Sequence, residues 1–258
     1  MNDARLKDPA LLDEVIRIAR AAGDVIMAIY ATDFAVRGKS DASPVTEADE
    51  RAEAVITQGL RSLAPGVTIV AEEAVAGGDR PEVGRWFWLV DSLDGTKEFI
   101  HRNGEFTVNI ALVRDGEPVL GVVFAPALGR LFAGVKNGGA FVIDAAGQRP
   151  IRCRPIPAES LTVVASRSHG DAAALDAFLA GRKVSSTTNA GSSLKLCLVA
   201  AGEADLYPRL GRTMEWDIAA GHAVLAAAGG RVDTVAGVPL RYGKPGFDNP
   251  HFAASGNS

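Results

Sequence analysis

RWFWLVDSLDGT, residues 85–96, runs an aromatic and β-branched stretch straight into two aspartates, a glycine and a threonine. The first half reads as a buried strand, the second as a tight turn leading into a helix start. Asp91 and Asp94 flank a Ser-Leu turn at the point where that strand meets Gly95 and Thr96. Bare acids there repel each other and are costly to bury, whereas a hard divalent ion such as Mg2+ wants oxygen ligands of this kind. The main-chain N–H groups of Gly95 and Thr96, at the helix start, suit a phosphate beside the metal.

An isolated DxxDGT is adequately explained as a helix cap and turn, since Asp, Ser, Gly and Thr are the usual residues for that work. The surrounding sequence changes the balance. VTIVAEE, residues 67–73, repeats the design, a short apolar strand ending in Glu72 and Glu73. Asp49 opens a helical run in PVTEADE, and Asp217 follows Trp216 at a third helix start. Each has its own plain explanation, Glu73 as a solvated acid and Asp49 and Asp217 as caps. Acids gathered at four element ends are harder to explain that way than one.

Outward from the turn, residues 11–30 carry apolar positions at helical spacing and predict a long first helix; residues 47–63 predict a second beside it. Residues 106–143 read as an antiparallel meander, with DGE and NGG supplying the turns. From Leu161 the pattern alternates: LTVVAS a strand, DAAALDAFLA a helix, SSLKLCLVAAGE a helix, ADLYPRL a strand and WDIAAGHAVLAAAGG a helix closed by glycines. This predicts an α/β chain with an α+β N-terminal half, residues 1–157, carrying most of the acids, and an α/β C-terminal half, residues 158–258, carrying Asp217.

With 258 residues and 47% hydrophobic composition, the chain can bury a substantial core. A net charge of −4 gives no global attraction to a nucleic-acid polymer, so an anionic ligand has to be held by local groups or cations. Cys153 and Cys197 are far apart and form no CxxC pattern, which predicts neither a disulfide framework nor a zinc site and points to a reducing compartment. No stretch approaches the roughly 20 apolar residues of a membrane span. A cytoplasmic protein is expected.

The ordered set Asp49, Glu72-Glu73, Asp91-Ser-Leu-Asp94-Gly-Thr96 and Trp216-Asp217 resembles the signature of the lithium-sensitive, magnesium-dependent inositol monophosphatase superfamily. SPVTEAD, KEFIHRNGEFTVNIALV, SRSH, GSSLKLCLVAAGEADLYPRLG and WDIAAGHAVLAAAGG extend the resemblance across nearly the whole chain, toward its bacterial 3'(2'),5'-bisphosphate nucleotidases. The fold this implies is a layered αβαβα sandwich of the inositol monophosphatase and sugar phosphatase type. By matching positions, Glu72, Asp91, Asp94, Asp217 and the Leu93 carbonyl are expected to hold two or three Mg2+ ions, with Li+ as inhibitor. Asp49 and Thr96, with Glu72, are expected to prepare the attacking water, and Glu73 to act from the outer shell. The signature turn usually has Pro where this chain has Ser92, which predicts a less rigid turn and altered metal affinity rather than lost activity.

The resemblance further implies that Ser166 and His169 lie near a nucleoside and that Ser192, Lys195 and Arg209 hold the phosphate that is not cleaved. For His169 a structural hydrogen bond, and for Lys195 a solvated helix face, are the plain alternatives. Lys39 adds charge at the mouth or is simply solvated, and Trp216 reads as a packing residue. The implied activity is hydrolysis of the 3'-phosphate of adenosine 3',5'-bisphosphate to AMP, in sulfate assimilation. Inositol monophosphate, fructose 1,6-bisphosphate and a catalytically silent phosphate- or metal-binding regulator remain the alternatives. Monomer or homodimer, and peripheral association with the inner membrane, stay open.

Overall fold

The structure, a computed structural model, describes residues 1–38, 44–166 and 172–256, so Lys39 and His169 lie outside the described residues. After a single turn, α1 (Asp3–Leu6), the long helix α2 (Pro9–Tyr30) starts where Asp8 accepts the Ala10 N–H and Pro9 occupies the first turn. Its buried residues Leu11, Val15, Ile18, Ala22, Ile26 and Ile29 recur every three or four positions, as the stripe predicted. Two short strands, β1 (Val36–Gly38) and β2 (Pro44–Thr46), pair antiparallel ahead of α3 (Glu47–Leu63). Helices α2 and α3 lie side by side on one face of a large sheet.

That sheet has seven strands in sequence order: β3 (Thr68–Ala71), β4 (Trp86–Asp94), β5 (Thr107–Arg114), β6 (Glu117–Ala125), β7 (Arg130–Val135), β8 (Gly139–Asp144) and β9 (Gly147–Ile151). Every pair from β4 onward is antiparallel, which is the expected meander; β3 runs parallel to β4, joined through the short helix α4 (Glu72–Ala76). A second short helix, α5 (Thr96–Ile100), follows β4. Both faces of the sheet are covered, so its strands are apolar in both phases rather than alternating. On β4, Trp88 and Val90 face α2 and α3, while Phe87 and Leu89 face the opposite way. The two-residue period carries Asp91 onto that second side, and an irregularity between Asp91 and Asp94 ends the regular ladder.

The C-terminal half contributes β10 (Leu161–Ser166), α6 (Ala172–Leu179), β11 (Val184–Ala190), α7 (Leu194–Ala200), β12 (Leu206–Arg209), α8 (Glu215–Ala227), β13 (Arg231–Thr234) and β14 (Phe252–Ser255). Its sheet has the order β11-β10-β12-β14-β13, with β10 parallel to β11 and β12, and β14 antiparallel to its neighbours. Helices α7 and α8 fill the space between the two sheets, and α6 lies on the far side. The layers are therefore helix, sheet, helix, sheet, helix, as the resemblance implied. Three of the C-terminal strands were not legible: β11 is VSSTTNA, polar and exposed along almost its whole length at a sheet edge, and β13 and β14 are four residues each.

Helix α8 is apolar on every side, the composition of a helix buried between layers. It lies very close to the large sheet. A Cβ at Gly121 on β6 would fall 2.3 Å from the Ala220 carbonyl oxygen, so only glycine permits that approach. The result sets Asp217, in the first turn of α8, directly opposite the carboxyl-terminal end of β4.

Candidate active site

Asp49 is the third residue of α3 and is 2% exposed. Its Oδ2 accepts the Thr46 N–H at 2.8 Å and the Thr46 hydroxyl at 2.7 Å, closing a capping box. A carboxylate has two oxygens, so the cap does not exhaust it. Oδ1 accepts the Thr96 hydroxyl at 3.1 Å, joining α3 to the start of α5. Ser92, also buried, donates its hydroxyl to the Asp49 carbonyl at 2.8 Å. The residue that replaces proline thus ties the acidic turn to α3 through a bond proline has no group to make.

Glu72 from the start of α4, Asp91 from β4 and Asp217 from α8 bring one carboxylate oxygen each to within 4.8 Å of one another. Asp217 repeats the arrangement at Asp49: it is a third helical residue that accepts the N–H of Met214 at 2.8 Å. Asp94 stands beside them and accepts from Asn109 Nδ2 at 3.2 Å; the same amide reaches the Asp217 carbonyl at 3.4 Å. Ser193 donates to that carbonyl at 2.6 Å. Burial pushes the Asp94 carboxyl up to about 6, and burial together with Asp94 and Glu72 holds Asp217 well above the usual carboxylate range. Acids this close share protons unless a cation neutralises them. An all-oxygen set of clustered carboxylates suits a hard divalent cation, so these residues fit Mg2+.

The acids open into a cleft of about 440 Å³ lined by Leu93, Gly95, Thr96 and Lys97 from the turn after β4 and by Ser166, Ser192, Lys195, Tyr207, Arg209 and Trp216 from the C-terminal half. Gly95 has φ +93°, in the left-handed region that lets the strand turn into α5. Lys195 is no solvated side chain: it is 5% exposed, and its Nζ donates to the carbonyls of Ala190 and Ser192 and lies 5.5 Å from the Tyr207 ring. Burial lowers its pKa to about 8 against the opposing pull of Asp94. Arg209 is 8% exposed and donates to the Arg212 carbonyl at 2.8 Å. Among the described residues, Ser192 Oγ and Arg209 Nε are buried without a hydrogen-bond partner, and both border this cleft. Orphaned polar groups of this kind mark a place for a polar ligand.

Trp216 packs against Phe247 at 6.1 Å, the packing role expected of it. Glu73 borders an adjacent hollow with Val45, Glu50 and Glu53, while Glu72 lines the main cleft. Sequence reasoning did not single out Asn109, Ser193, Glu53 or Thr46. Thr46 was findable from its spacing to Asp49, a capping signal; the others carry no local signal and gain meaning only from what the fold sets opposite them.

The family model of the inositol monophosphatase family matches residues 10–255. The 3'(2'),5'-bisphosphate nucleotidase CysQ of Escherichia coli is 48% identical over 95% of this chain and 99% of its own length. That of Salmonella typhimurium is 46% identical over 94% and 98%. Among solved structures, CysQ from Bacteroides thetaiotaomicron superposes with a TM-score of 0.81 at 35% identity, covering 98% of this chain and 99% of that one. The inositol monophosphatase from Anabaena reaches 0.77 at 27% identity, covering 96% of this chain and 91% of that one. With the layered fold, the acidic turn and nearly every residue of the chain accounted for, this protein belongs to the inositol monophosphatase family.

Proposed function

We propose that this chain is a Mg2+-dependent phosphomonoesterase that hydrolyses the 3'-phosphate of adenosine 3',5'-bisphosphate to AMP and phosphate. The single observation that carries the reading is the meeting of Glu72, Asp91 and Asp217, from three separate elements, in a cleft that Lys195 and Arg209 also line. The acids suit cations bound to a reacting phosphate, and the two basic side chains suit a second phosphate. The extent of identity to proteins named 3'(2'),5'-bisphosphate nucleotidase supports the substrate.

In this reading Glu72, Asp91, Asp94, Asp217 and the Leu93 carbonyl hold the Mg2+ ions. When bound, these ions supply Lewis-acid stabilisation to the attacking and leaving oxygens of an in-line displacement. The Thr96 hydroxyl gives its proton to Asp49 Oδ1 in a hydrogen bond, which leaves its oxygen lone pairs facing the cleft to accept from the attacking water. Thr46, by occupying Oδ2, fixes the carboxylate so that Oδ1 is the oxygen presented. Water oxygen bonds to phosphorus as the bond from phosphorus to the ribose 3'-oxygen breaks; of the water's two protons, one ends on that 3'-oxygen, giving the 3'-hydroxyl of AMP, and the other stays with the released phosphate. Gly95 and Thr96 main-chain groups steady the reacting phosphate.

Ser192, Lys195 and Arg209 take the 5'-phosphate, and Ser166 approaches the nucleoside. Buried cations are the right partners there, since an uncompensated phosphate dianion in the cleft would be costly. In this reading the N-terminal domain, 1–157, supplies most of the acids, and the C-terminal domain, 158–258, supplies Asp217 together with Ser192, Lys195 and Arg209. Among the described residues no helix is long and apolar enough to cross a membrane.

Initial rates of phosphate release from adenosine 3',5'-bisphosphate, inositol 1-phosphate and fructose 1,6-bisphosphate, each with Mg2+ and with EDTA, test the proposal. The bisphosphonucleotide is expected to react fastest, only with Mg2+, and with inhibition by Li+. Faster turnover of either sugar or cyclitol ester, or equal rates in EDTA, would overturn it.

A further inference from the structure

Helix α4 begins with Glu72 but has no cap of its own, because the residue before it is Ala71, whose side chain has no acceptor. The missing acceptors come from another helix. Glu53, on α3, receives the Glu73 N–H on Oε2 at 2.7 Å and the Ala74 N–H on Oε1 at 3.0 Å. It is 8% exposed, a burial that a carboxylate tolerates only with good hydrogen bonds. The carboxylate gives each of the two consecutive amides an oxygen of its own, whereas a carboxamide or hydroxyl has a single acceptor oxygen.

The first of these bonds reaches the site. The Glu73 N–H lies in the same rigid peptide plane as the Glu72 carbonyl, so holding it fixes the backbone that aims the Glu72 side chain at Asp91 and Asp217. Glu53 also stands one helical turn after Asp49. A single helix therefore presents two neighbouring acids on one face, one fixing Thr96 and the other fixing the approach of Glu72.

We infer that Glu53 is a positioning residue that holds Glu72 in the geometry required to bind the divalent cation. This rests on the reading of Glu72 as a metal ligand, and the test separates the two. Mg2+ binding to the metal-free protein is measured by isothermal titration calorimetry for wild type, E53A, E53Q and E72Q, alongside the Mg2+ dependence of phosphate release. Removing a group that orients a ligand costs roughly 10- to 100-fold in metal affinity. E53A is expected to weaken Mg2+ binding by about that factor, E53Q by less because one acceptor oxygen survives, and kcat at saturating Mg2+ is expected to fall by a smaller factor than the affinity.

If E72Q impairs Mg2+ binding while E53A and E53Q bind it as wild type does and merely melt earlier, Glu53 is only a structural cap and the inference fails. If E72Q itself binds Mg2+ like wild type, the assignment of Glu72 fails, and this inference with it. Should E53A not fold, E53Q decides: weakened Mg2+ binding sustains the inference and unchanged binding overturns it.

Discussion

Thr96 donates its hydroxyl proton to Asp49 across 47 positions of sequence, at 3.1 Å, while the other oxygen of the same carboxylate is held by Thr46. The bond couples the start of the helix after the acidic turn to the start of α3, and it gives Thr96 a defined orientation toward the cleft. If the pair works as one proton-accepting unit, either member alone is of little use. Thr96→Val and Asp49→Asn are each expected to lower kcat by roughly 10²- to 10⁴-fold, and the double variant to lose little more than the worse single one. Phosphate-release rates for the four proteins check this; strictly multiplicative losses would show that the two residues act separately.

The acid cluster makes the stability of the metal-free protein depend on pH. Burial raises the Asp94 carboxyl to about 6 from an ordinary value near 3.8 and raises Asp217 as well. Between those values the folded state binds more protons than the unfolded one, so this contribution is fully present below about pH 4 and is lost as pH rises through about 6. His222, lowered by burial to about 4, works in the opposite sense: its contribution is present at neutral pH and lost on acidification. The increment in melting temperature produced by Mg2+ removes that second effect from the comparison. It is expected to be larger at pH 7.5 than at pH 5, because the cation competes with protons for the same oxygens. An equal or smaller increment at pH 7.5 would contradict the burial of these acids.

Lys195 gives the substrate side its own pH limit. Desolvation brings its pKa down to about 8, so the free enzyme loses a positive charge there as the medium becomes alkaline. The kcat/KM for a bisphosphorylated nucleotide is expected to decline above about pH 8, since this ratio reports groups of the free enzyme. Lys195→Gln is expected to have lower kcat/KM and to lack that limb of the profile. The same alkaline limb in the variant would mean that another group is titrating.

Gly121 tests the packing that carries Asp217 into place. A methyl group there would meet the Ala220 carbonyl at 2.3 Å, which forces α8 away from β6. Gly121→Ala is expected to destabilise the protein by about 1–3 kcal/mol, measured by urea unfolding, and to weaken Mg2+ binding through displacement of Asp217. Wild-type stability would show that α8 moves freely over the sheet.

Much of this architecture could be read from the chain because the elements near the acids obey strong local rules. The α3 span followed from the helical period and strong helix formers of residues 47–63, and the β4 turn from an apolar run broken by Asp91, Asp94 and Gly95. The convergence of Asp49, Glu72, Asp91, Asp94 and Asp217 was accessible through resemblance, since no local pattern links positions so far apart. What escaped was of two kinds. The strand β11 is polar and exposed, so it shows no apolar period. Asn109, Ser193 and Glu53 act on main-chain groups of other elements, and sequence does not reveal which amide or carbonyl a side chain will meet. Ser92 changed meaning on folding: the absence of proline suggested a looser turn, yet its hydroxyl ties that turn to Asp49.

The central claim is that acids from separate elements gather to hold divalent cations. Anomalous diffraction from crystals grown with Mn2+ in place of Mg2+ addresses it directly, because the ion reports its own position. Peaks are expected among the carboxylates of Glu72, Asp91 and Asp217, and beside Asp94, whose charge acts on Asp217. Mn2+ found only at other surfaces, with these four side chains free of it at saturating concentration, would contradict the account.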